Sequence, residues 1–115
     1  MTLNDFETSL RDRVPPANVS ALAQALWYER RGEWTRAHEI TQDIDTDDAS
    51  WVHAYLHRRE GDLSNARYWY RHAGRAPATG SLDDEWRTIV ETLLRPPYPV
   101  VEAQTERAYL LARKT

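Results

Sequence analysis

An internal near-repeat limits the architectures open to this chain. The segment Ala25-Leu-Trp-Tyr-Glu-Arg-Arg-Gly-Glu-Trp-Thr-Arg-Ala37 aligns without gaps with Ala54-Tyr-Leu-His-Arg-Arg-Glu-Gly-Asp-Leu-Ser-Asn-Ala66, so Gly32 and Gly61 stand 29 residues apart. In both copies an acid follows the glycine, a large apolar residue follows the acid (Trp34, Leu63), and an alanine comes five places after the glycine. Glycine takes up positive φ at little cost, so each copy reads as a helix that stops, reverses and starts again. Ala37 and Ala66 then fall one turn into the returning helix, where a small side chain lets two helices approach closely. The pattern predicts two helical hairpins in succession.

Periodicity agrees. Leu22, Ala25, Leu26 and Glu29 share one helical face, and Leu63, Ala66, Tyr70 and Ala73 form a second stripe. A further helix is expected from Ser81, a good N-cap with Asp84 three residues later, and its apolar face is Leu82, Trp86, Ile89, Val90, Leu93 and Leu94. At the other end, Leu3, Phe6 and Leu10 predict a helix from Thr2 to about Arg13, before Pro15 and Pro16. The expected fold class is therefore all-α: two hairpins with N- and C-terminal capping helices in one domain over residues 1–95. Residues 96–115 are read as a proline-containing tail, helical at its end.

Composition excludes more than it selects. With 115 residues and no cysteine, the chain is long enough to bury a core without disulfides and offers no thiolate nucleophile or sulfur-ligated zinc. The start, MTLNDFETSLRD, carries acids where a secretory signal carries basic residues and an apolar run, so a cytoplasmic location is expected. The longest charge-free stretch, Val14 to Tyr28, is too short and too polar to span a bilayer, so no membrane partner is expected. A net charge of −3 argues against a dedicated nucleic-acid domain. Tyr68-Trp-Tyr70 beside Arg67 and Arg71 could stack bases, but Trp69 and Tyr70 fall on the packing stripe, leaving Tyr68 as the exposed ring. Charge is uneven: seven acids lie between Glu29 and Ser50, and five Arg with three His between His53 and Arg75. Adjacent helices with complementary faces, or a basic site for an acidic partner, both fit that asymmetry.

The run Gly61-Asp-Leu-Ser-Asn-Ala66-Arg-Tyr-Trp-Tyr70-Arg-His-Ala73 resembles the second half of a tetratricopeptide repeat, and Ala66-Arg-Tyr-Trp-Tyr-Arg-His-Ala73 is similar to Sel1-type repeats. The resemblance covers about Ser20 to Arg75. Trp51 to Arg75 also resembles part of a recurrent family of small bacterial proteins to which no activity is attached. Two departures are visible: the spacing of 29 is short, and Ala49 stands where a repeat-ending proline is common. The repeat family implies protein binding in a groove, with partner-facing positions ten, six, three and two residues before the turn glycine. Those are Trp51, Tyr55, Arg58 and Arg59 in the second hairpin, and Leu22, Leu26, Glu29 and Arg30 in the first. Guanidinium groups among aromatics suit an acidic segment or a free C-terminus. The alternative is that Trp51 and Tyr55 pack beneath the Ser81 helix as core.

Chemistry could also hide in His53-Ala-Tyr-Leu-His57, since histidines at i and i+4 project from one helical face and can share a metal. Ala54 stands where the metalloprotease pattern needs Glu, while Glu60 lies one turn on and His38 or His72 could approach from a neighbouring helix. Facing inward, both could instead be core histidines bonded to Tyr70 or a backbone carbonyl. An acid/base pair of His53 or His57 with Glu60 or Asp62 is a further option. No phosphate loop, dinucleotide fingerprint or nucleophile elbow is present.

The sequence is thus read first as a helical-repeat interaction module for a protein or peptide, with homo-oligomerisation open. Its partner-binding residues are Trp51, Tyr55, Arg58, Arg59, Arg30 and Leu26, and no catalytic residue, metal or cofactor is assigned. The alternative is a small metal-dependent or acid/base hydrolytic enzyme using His53 and His57.

Overall fold

The computed structural model describes residues 1–95, and the tail expected over 96–115 lies outside them. The described residues are all-α, with helices α1 (Leu3–Thr8), α2 (Ala21–Arg30), α3 (Trp34–Gln42), α4 (Asp47–Glu60), α5 (Leu63–His72) and α6 (Leu82–Leu94). α2 with α3 and α4 with α5 make the two hairpins, and α6 lies across α2 and α4.

Local chemistry sets the boundaries. Ser20, Thr46, Asp62 and Ser81 each accept a backbone N–H three residues on, starting α2, α4, α5 and α6. Gly32 and Gly61 close the first helix of each hairpin at φ 86° and 90°. At each turn the glycine N–H bonds the carbonyl three residues back and the next N–H reaches five back, Glu33 to Tyr28 and Asp62 to His57. Asp47 and Asp48 open α4, and His57, Arg58 and Arg59 end it, matching the helix dipole at both ends. α1 is shorter than expected. Its last turn tightens into a 3₁₀ segment at Ser9–Arg11, where the buried Ser9 hydroxyl donates to the Phe6 carbonyl and accepts the Trp27 indole N–H at 3.2 Å.

The core gathers on α4. Its nine residues from Ala49 to His57 are all buried, so it is enclosed on every side by α2, α3, α5 and α6. Trp86, Ile89 and Val90 of α6 are fully buried, with Trp86 donating to the Leu26 carbonyl at 3.0 Å and Phe6 of α1 packed beside its ring. Ala37 and Ala66 are buried where the hairpin helices approach. One stripe residue departs from expectation: Leu63, the first residue of α5, is 55% exposed.

Candidate functional site

The expected groove is closed. Leu26 and Tyr55 are fully buried and Trp51 nearly so, because α6 occupies the face that the repeat resemblance leaves open. The guanidinium groups meet acids of this same chain. Arg30 pairs with Asp83 at 2.7 Å and lies over the Trp86 ring. Arg58 pairs with Glu85 at 2.9 Å and donates to the Gly80 carbonyl. Arg59 pairs with Glu29 at 3.3 Å. Trp51, Tyr55, Arg58, Arg30 and Leu26 are therefore packing residues of the α6 interface, and Arg59 is the most exposed of the six.

Two buried carboxylates tie α4 to its neighbours, Glu85 from α6 and Glu29 from α2. Glu85 accepts from Tyr70 Oη at 2.6 Å, Trp51 Nε1 at 3.3 Å and Arg58, so its desolvation is offset by one cation and two neutral donors. Glu29 accepts from Tyr55 Oη at 3.0 Å and faces Arg59, yet burial outweighs both and raises its pKa. Burial and the adjoining carboxylates likewise raise the Tyr55 and Tyr70 hydroxyls, which stay protonated and donate.

On the opposite face of α4 the histidines meet. His53 and His57 face inward, 7% and 6% exposed, one turn apart, and His38 reaches them from α3. His53 Nε2 lies 2.9 Å from His38 Nε2, and one ligand nitrogen from each of the three rings lies within 4.8 Å of the others. The expected bond to Tyr70 is not made, since that hydroxyl serves Glu85 on the far side of α4. His72 stands apart, paired through Nδ1 with Ser50 Oγ at 2.9 Å.

Aromatic rings wall the cluster. Trp69 of α5 stacks on His53 at 4.0 Å and 9°, and Trp34 stacks on His38 at 5.0 Å and 12°. The i, i+4 spacing of Trp34 and His38 already puts the two rings on one face of α3. His57 Nδ1 contacts Glu60 Oε2 at 2.8 Å, and its Nε2 contacts Asn65 Nδ2 at 3.3 Å. An ionised carboxylate only accepts, so Nδ1 carries the proton and, in the neutral ring, Nε2 presents the lone pair. Burial, and after it the neighbouring His38 and His57, push His53 down to about 4; burial followed by His57 lowers His38. Both shifts favour the neutral ring, which carries one N–H and one lone pair. A cavity of about 210 Å³ opens beside His53, bordered by Thr41, Asp45, Ser50, Trp69 and His72.

Compared with protein-family models, curated proteins and solved structures, the chain gives no significant match to any. Among the described residues no helix is long and apolar enough to cross a membrane.

Proposed function

We propose that the working part of this chain is its histidine centre, and that the chain is a small hydrolytic enzyme of the metal-dependent or acid/base class. The observation that carries this reading is the convergence of His38, His53 and His57, three of the four histidines in the chain, between α3 and α4. Stability alone does not call for such a cluster: leucine or phenylalanine would fill the space without burying ring nitrogens. Chemistry does call for it. A neutral imidazole accepts a proton or donates a lone pair, and the Glu60 carboxylate accepts the Nδ1 proton of His57 and so orients its ring for general acid–base work. The cavity beside His53 has the volume of about seven water molecules at about 30 Å³ each, room for a small polar substrate.

A peptide-binding role on the inner faces of α2 and α4 is less well supported, because α6 would have to leave. Re-exposing Trp86, Ile89 and Val90 would cost about 1.5–3 kcal/mol each. Their sum, about 5–9 kcal/mol, is comparable to the whole stability of an ordinary domain, about 5–15 kcal/mol. Displacing α6 is close to unfolding the protein.

The test is a screen of the untagged full-length chain against chromogenic carboxylic and phosphate esters, with and without added divalent ions. We expect turnover of at least one class, lost in His53→Gln and His57→Gln variants that keep a helical circular dichroism spectrum. Absence of turnover in the wild type, or turnover indifferent to both substitutions, would sink the proposal.

A further inference from the structure

We infer that His38, His53 and His57 form a three-imidazole site for one divalent transition-metal ion of the zinc class, with a water molecule in the fourth position. This deepens the reading of the histidine centre given above and names the agent that would act there.

The donor set selects the metal. Three imidazole nitrogens with no carboxylate among them suit zinc, cobalt, nickel and copper, and do not suit magnesium or calcium, which take oxygen ligands. Three protein ligands are also the number that leaves a coordination position open for water.

The distances are within reach of side-chain adjustment. A tetrahedral ion at about 2.0–2.1 Å from each nitrogen holds its donors roughly 3.3 Å apart. His53 Nε2 and His38 Nε2, at 2.9 Å, need to part by a few tenths of an ångström, and a ring nitrogen of His57 lies within 4.8 Å of one on each of the other two rings. The closeness of those two Nε2 atoms has a simple account in the metal-free chain: one ring donates its N–H to the lone pair of the other. Binding an ion requires the donating ring to take its other tautomer, its proton passing through solvent from Nε2 to Nδ1, so that both rings turn an Nε2 lone pair toward the metal.

The surroundings fix the rings. Trp69 and Trp34 stack on His53 and His38, which limits ring rotation. Glu60 holds the Nδ1 proton of His57 and leaves Nε2 as its ligand atom, the carboxylate–histidine arrangement that orients metal-bound imidazoles. Asn65 Nδ2 now donates to that Nε2 at 3.3 Å, the longest of the polar contacts within the cluster, and it is the bond an ion would displace.

The experiment uses the untagged full-length chain, stripped with a chelator and dialysed. Zinc chloride is titrated calorimetrically, and cobalt chloride is followed by visible absorption. We expect one ion per chain and the intense d–d bands of four-coordinate cobalt. His38→Gln, at the half-buried edge of the cluster, should abolish the cobalt spectrum. Glu60→Gln should weaken zinc binding about 10–100-fold without removing a ligand. His72→Gln, whose ring pairs with Ser50 outside the centre, should bind as the wild type does. Melting curves of each apo variant verify folding. Failure of the wild type to bind any of zinc, cobalt, nickel or copper stoichiometrically overturns the site, as does binding that survives His38→Gln or is lost in His72→Gln. Stoichiometric binding without ester turnover supports this site and removes the hydrolytic reading. Turnover by the chelated protein that requires His53 does the reverse.

Discussion

Replacing Trp86 by alanine decides whether α6 is part of the core or a detachable cover. The indole is fully buried, lies 5.8 Å from Phe6 by ring centroids, donates to the Leu26 carbonyl at 3.0 Å and carries the Arg30 guanidinium 4.3 Å above its face. Truncating a buried Trp costs about 3–5 kcal/mol through lost transfer energy and the cavity left behind. The lost cation–π contact adds about 1 kcal/mol, above the low end for exposed pairs because Arg30 is itself mostly buried. The hydrogen bond adds little, because the Leu26 carbonyl remains within a helix. The expected total, about 4–6 kcal/mol, is a large part of a domain's stability and lowers Tm by roughly 20 °C or more, at about 4–8 °C per kcal/mol. Urea denaturation followed by both circular dichroism and tryptophan fluorescence measures it. One cooperative transition, displaced to lower urea with the slope m unchanged, is the expected result. A loss below about 1 kcal/mol, or a separate early transition belonging to α6 with the hairpins still folded, would refute the reasoning and reopen the groove.

Three further outcomes follow from the same contacts. Gly61→Val should cost about 2 kcal/mol by urea melt: no atom lies within 4 Å of an added Cβ, so the penalty is the left-handed backbone at φ 90° and not a clash. Arg58→Ala should cost about 3 kcal/mol, because it strips the cation from buried Glu85 and leaves only Tyr70 and Trp51 as donors; a change within 0.5 kcal/mol would mean that Glu85 is solvated or protonated. In the metal-free chain His53 takes its proton near pH 4 when folded and near 6.5 when unfolded, so the unfolded state binds more protons between those values. The His53 contribution is therefore full above about pH 6.5 and falls by about 3 kcal/mol as pH drops to 4, a slope that His53→Gln should lessen, His38 adding to it in the same direction, and that urea midpoints across this range measure.

The hairpins were legible because their signals are local. Ser20, Ser81, Gly32 and Gly61 act on backbone groups within five residues, so sequence neighbours suffice to read them. The placement of α6 was not local. The stripe of Trp86, Ile89 and Val90 states that a helix must be covered, and it does not state by what. Helical geometry correctly sends Trp51 and Tyr55 away from His53 and His57, and of the two readings it leaves for that side, an open groove or packing beneath the Ser81 helix, the structure has the second, with α2 alongside α6. A signal was present: Trp51-Val-His-Ala-Tyr-Leu-His57 has large rings or aliphatic groups around the whole circumference, as buried helices do. In the centre, His53, His57 and Glu60 could be grouped from their spacing on one helix. His38 was one of two candidates for a third partner, and only the packing of α3 against α4 chose it over His72.

The enclosure of α4 from Ala49 to His57 has a consequence for how the molecule opens. A helix with one exposed face can unravel locally, while a helix covered on all sides cannot release its amide protons until its neighbours have moved. Hydrogen exchange in the middle of α4 should thus occur only through global unfolding, and its rate reports the free energy of the whole domain. Exchange at α1, with its single buried large side chain at Phe6, should be fast and independent of that event. The amides of α4 are in this sense the molecule's own gauge of its stability, readable in the native state without denaturant.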